Sequence, residues 1–98
     1  MQFKRALQLK PKSMEAHGNL GLLYFMAGRL DQSEAEVRQA MTIRQGNGNL
    51  HLLLGKIYER KGKKEEAVRE LRTALKLDRS LKEAERLLGK ITGEEQKG

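Results

Sequence analysis

Apolar positions along this chain fall at helical spacing, and the same stripe is written twice, 34 residues apart. Leu20, Gly21, Tyr24 and Gly28 return as Leu54, Gly55, Tyr58 and Gly62. Further on, Val37, Ala40, Met41 and Ile43 return as Leu71, Ala74, Leu75 and Leu77. A fixed period of roughly 20–50 residues is the mark of a repeat architecture. The pattern predicts helices over about 14–27, 31–44, 49–61, 64–77 and 81–92, with a shorter one over 2–10. No strand is predicted.

Punctuation supports these limits. Pro11 stops the first segment, and Ser13 is placed to cap the next. Gly28 and Gly62 each close a helix where a left-handed residue is useful. Asp31-x-x-Glu34 and Ser80-x-x-Glu83 read as capping boxes that open the helices after them. The connector Gln45-Gly46-Asn47-Gly48-Asn49 is expected to be the loosest joint.

The ends of the chain keep the register. Phe3, Ala6 and Leu9 precede Val37, Ala40 and Ile43 by 34, so residues 2–12 match the second helix of an incomplete repeat. Leu88 and Gly89 continue Leu54 and Gly55, although Thr92 replaces the tyrosine. The expected organisation is a single domain over 1–98: a partial helix at 2–12, repeats at 14–47 and 48–81, a capping helix at 82–92, and a tail at 93–98. A polar final helix shields the last apolar face of such a stack.

Composition narrows the class. Only 38% of residues are apolar while 34% are charged, a balance suited to a stack in which each unit buries only the faces touching its neighbours. Cysteine is absent, which excludes disulfides and thiolate metal sites. No apolar run reaches membrane-spanning length and residues 1–12 are too polar for a signal peptide, so a cytoplasmic location is the default, although an exported parent would look the same. The net charge of +7 suggests acidic partners, yet acidic residues are interleaved throughout.

Catalytic chemistry finds no footing. The ten glycines form no phosphate-binding motif, and no Ser/His/Asp set, paired buried carboxylates or cysteine nucleophile appears. His17 and His51 are also 34 apart, too far to share a metal on neighbouring helices, and packing explains them better. No enzyme, metal or cofactor is expected.

The L-G-x-x-Y run, its following glycine and the period of 34 resemble the tetratricopeptide repeat over residues 2–92, here a fragment or C-terminal end of an array. The resemblance implies an all-α, right-handed superhelical stack of antiparallel helix pairs, an α-solenoid of about two full repeats. It implies a protein-interaction scaffold whose concave groove, lined by the first helix of each pair, takes a peptide or partner helix. The family's groove positions fall on Glu15, Gly18, Asn19, Leu22, Phe25 and Met26, then on Asn49, Leu52, Leu53, Lys56, Glu59 and Arg60, and on Glu83, Arg86, Leu87 and Lys90. Of these the expected site is Asn19, Leu22, Phe25, Met26, Asn49, Leu52, Leu53, Lys56, Arg60, Arg86 and Lys90. Its apolar members and its cations would together suit an acidic, apolar peptide. Gly18 and Leu22 replace members of the family's carboxylate clamp, so chaperone C-termini are not expected.

Two alternatives come from other classes. Lys4, Arg5, Lys10, Lys12 and the cluster Arg60-Lys61-Gly62-Lys63-Lys64 suggest nucleic acid, against which stands the scarcity of interleaved stacking aromatics. Phe3, Ala6 and Leu7 at an open N-terminal edge suggest self-association into a homo-oligomer.

Overall fold

The computed structural model describes residues 14–44 and 46–93, and every described regular element is an α-helix. The chain divides into two compact units, 1–46 and 47–98. In the first, α1 (Met14–Met26) and α2 (Leu30–Ile43) form an antiparallel pair. In the second, α3 (Gly48–Arg60) pairs with α4 (Lys64–Leu77), and α5 (Lys82–Thr92) packs on α4. The predicted helix at 2–10 and the Ser13 cap lie outside the described residues.

The glycines that repeat in the sequence act alike in the two pairs. A Cβ built on Gly21 would stand 2.8 Å from Val37 Cγ2, and one on Gly55 would stand 2.8 Å from Leu71 Cδ2 and Cγ. Each pair is thus drawn together until the second helix rests on the backbone of the first. Val37, Ala40, Leu71 and Ala74 are fully buried at the seam, while Leu20 and Leu54 are 1% exposed. Each such leucine contributes about 1.5–3 kcal/mol through burial.

The turns between paired helices are superimposable in their hydrogen bonding. Gly28 N–H donates to Phe25 O at 3.0 Å and Arg29 N–H to Tyr24 O at 2.8 Å; Gly62 N–H donates to Glu59 O at 3.1 Å and Lys63 N–H to Tyr58 O at 2.9 Å. This is the Schellman pattern, and it needs a left-handed residue, supplied by Gly28 at φ 79° and Gly62 at φ 81°.

The helix starts differ from the sequence expectation. Asp31 does not cap α2: Arg29 holds the N-cap position without a side-chain bond, and Asp31 sits in the first turn. Once the Schellman turn is complete the next helix begins at once, so the cap falls on whichever residue follows the glycine. Ser80 does not cap α5 either. Leu81 is the N-cap, while the Ser80 hydroxyl and amide donate to Asp78 Oδ1 at 2.6 and 3.0 Å. Within the connector after α2, Asn47 is a true cap whose Oδ1 accepts from Leu50 N–H at 3.1 Å.

In the second unit, Leu52, Leu71, Ala74 and Ala84 form a core cluster, with Leu75, Leu81, Leu87, Leu88 and Ile91 packed against it. Ala84 is the fully buried contact of α5. The small side chains of Ala74 and Ala84 let α5 lie close against α4.

Candidate functional site

The expected groove residues lie on α1, α3 and α5, and burial divides them. On α1, Asn19 is exposed, Leu22 is 43% exposed and Met26 is 73% exposed. Leu22 and Met26 are four residues apart and share a helix face. Phe25, expected beside them, is instead buried, as are Leu52 and Leu53 on α3. Leu52 belongs to the core of the second unit. Of the expected apolar residues, Leu22 and Met26 on α1 are the exposed ones.

Asn49 and Arg60 on α3, and Arg86 and Lys90 on α5, are exposed. Lys56 and Arg60 share one face of α3 by their spacing, and Arg86 and Lys90 share one face of α5. Lys56 is engaged within the second unit: its Nζ lies 2.9 Å from Glu83 Oε2 and ties α3 to α5. The pair is solvent-facing, with Glu83 half exposed, so its strength is modest. The resemblance implies groove positions for both Lys56 and Glu83, but not that they lie within bonding distance of each other.

Charge-bearing groups inside the pairs are accounted for by structure. His17 Nδ1 lies 2.8 Å from Glu36 Oε1, and His51 Nδ1 lies 2.8 Å from Glu70 Oε1. A carboxylate can only accept, so the ring nitrogen is the donor in both. These bonds clasp the first helix of each pair to the second. The signal was present in the sequence, since Glu36 and Glu70 are 34 apart like the histidines. Ser33 adds a further clasp: its buried hydroxyl donates to Gly21 O at 2.6 Å. Among the described residues no group of three or more His, Asp or Glu side chains is placed to hold a metal ion. No described helix is long and apolar enough to cross a membrane.

Residues 12–80 match the family model of the tetratricopeptide repeat. The chain belongs to that family of helical scaffolds for protein–protein interaction. Solved structures agree on the fold. MamA superposes with a TM-score of 0.84 at 19% identity, over 96% of this chain and 55% of MamA. The tetratricopeptide domain of Arabidopsis OM64 gives 0.86 at 22% identity, over 91% of this chain and 74% of that one. An O-GlcNAc transferase of Thermobaculum terrenum gives 0.86 at 28% identity, over 91% of this chain but only 17% of the enzyme. The chain therefore spans about half of MamA and a small part of the transferase. A search of curated proteins by sequence finds no match.

Proposed function

We propose that this chain is a scaffold that binds an acidic, partly apolar peptide or partner helix, with the exposed faces of α3 and α5 in the second unit as its basic surface. The observation that carries the reading is the exposed basic set Arg60, Arg86 and Lys90 beside Lys56 on the second unit. Cations held on helices steer an acidic segment and fix its register. On the first unit, the exposed Leu22 and Met26 of α1 offer apolar area of their own. Asn19 and Asn49, exposed on first helices, offer amide groups to a ligand backbone.

Selection of peptides from a displayed random library against the 98-residue chain tests the composition of the ligand. Enrichment of Asp and Glu together with Leu, Ile or Phe supports the reading. Enrichment of basic or purely apolar peptides overturns it. Retention of labelled single-stranded RNA, falling steeply with salt, would favour the nucleic-acid alternative instead.

A further inference from the structure

The basic surface of the second unit is built from Lys56 and Arg60 on α3 and from Arg86 and Lys90 on α5. Lys56 is already met there by a carboxylate of the chain itself, with its Nζ 2.9 Å from Glu83 Oε2. The two partners stand differently toward solvent. The Lys56 side chain is 25% exposed and that of Glu83 50%, so the ammonium is the inner member and the carboxylate the outer one. An ion pair this open to water stabilises the fold only weakly, and a second carboxylate can readily replace the first. Glu83 keeps a cationic neighbour when displaced, because Arg86 follows one turn along the same face of α5.

We infer that Glu83 is an internal competitor for Lys56, holding in the free chain the place that a ligand carboxylate takes in the complex. The inference rests on the acidic-peptide reading and adds to it how that surface selects. A ligand that carries a carboxylate exchanges like for like, and Lys56 keeps a counter-ion throughout. A neutral segment cannot make the exchange, so it leaves the pair closed and gains nothing from Lys56. Discrimination then comes from a group that opposes binding as well as from the cations that favour it. A tie of purely structural purpose would act in the opposite sense. Loosening α5 from α3 would then weaken every ligand, whereas releasing a competitor strengthens the acidic ones alone.

Fluorescence anisotropy with a labelled peptide of Asp, Glu and Leu, and with its Asn, Gln and Leu counterpart, tests the inference. Glu83→Gln removes the competing charge. Glu85→Gln removes an equal charge from the same turn of α5 and leaves the pair of Lys56 with Glu83 in place. Each variant loses a similar favourable interaction with the helix N-terminus, so their comparison isolates the pair. Glu83→Gln should bind the acidic peptide about threefold more tightly than Glu85→Gln does, with no difference between them for the neutral peptide. Equal affinities for the acidic peptide, or weaker binding by Glu83→Gln, would overturn the inference. The acidic-peptide reading would survive that result, since the wild-type chain still binds. A gain that extends equally to the neutral peptide also overturns it, because exchange of carboxylates is then not the cause. Failure of the wild-type chain and both variants to bind the acidic peptide removes the underlying reading, and the inference with it.

Discussion

His51 Nδ1 and Glu70 Oε1 lie 2.8 Å apart, joining α3 to α4, and the same bond joins His17 to Glu36 between α1 and α2. The recurrence shows that the 34-residue period governs polar contacts as well as apolar packing. Removing the carboxylate leaves a mostly buried ring nitrogen without its partner. Glu70→Ala should destabilise the chain by about 1–3 kcal/mol. A double-mutant cycle with His51→Phe, read by urea unfolding, should give a coupling energy of at least about 0.5 kcal/mol. Additivity would show that the bond contributes nothing beyond its two residues.

The close approach at Gly55 predicts a second effect. Alanine there would bring its Cβ to 2.8 Å from the buried Leu71 side chain. Alanine favours a helix interior over glycine by about 1 kcal/mol, yet overpacking costs about 1–3 kcal/mol. Gly55→Ala should therefore be neutral to destabilising by about 2 kcal/mol, with Leu71→Ala in the same chain relieving the clash. Stabilisation by the full helix-propensity gain would contradict the packing account.

Gly62→Ala tests backbone conformation without crowding. Nothing lies within 4 Å of a Cβ at that position, but φ is +81°. The left-handed penalty of roughly 1–2 kcal/mol should appear as a lower thermal midpoint. Gly62→Asn should recover part of it, since asparagine tolerates that region better.

Ser33 and its counterpart Ala67 provide an internal comparison. Both are fully buried, and only Ser33 donates to the backbone of the preceding helix. Ser33→Ala should cost about 0.5–1.5 kcal/mol, the net value of one hydrogen bond, because Ala67 shows that the site accommodates a methyl group. A loss above about 3 kcal/mol would mean that the hydroxyl organises more than this bond.

Among the described residues, Asp78 carries a clear acid dependence. Hydrogen bonds first from the Ser80 side chain, then from its backbone amide, hold the Asp78 carboxyl below its ordinary value of 3.8. A carboxyl lowered in the folded state adds stability above its unfolded pKa, and that stability is lost as pH falls through the folded value. Ser80→Ala should weaken this acid-side dependence, measured as the difference in unfolding midpoint between pH 6 and pH 3. An identical pH difference in both proteins would remove Asp78 from the account.

Much of this fold was legible because its strongest constraints repeat. The period of 34 located both helix pairs, and the glycines at 28 and 62 marked their turns. The caps were not legible. Asp31 and Ser80 have the right residue types, but the turn after Gly28 starts α2 earlier and Asp78 captures Ser80. Which of the expected groove residues are exposed was half legible for a related reason. Helical spacing places Leu52 on a face, but it cannot show that Leu71, Ala74 and Ala84 converge on the same point. Likewise Lys56 and Glu83 are separated by 27 residues, and only packing of the second unit brings them within 2.9 Å.

The functional reading predicts a charge effect free of that ion pair. Arg86→Glu/Lys90→Glu reverses two exposed cations and leaves Lys56 with Glu83. Affinity for a selected acidic peptide should fall by at least about tenfold, corresponding to about 1.4 kcal/mol, and wild-type binding should weaken with added salt. Affinity unchanged by the reversal would remove α5 from the site.

Amide chemical-shift mapping of the folded chain, titrated with such a peptide, tests the central claim most directly. The account predicts shifts concentrated around Lys56 and Arg60 on α3 and around Arg86 and Lys90 on α5. Shifts concentrated instead on the exposed residues of α2 and α4 would contradict it, and would place the binding surface on the second helix of each pair.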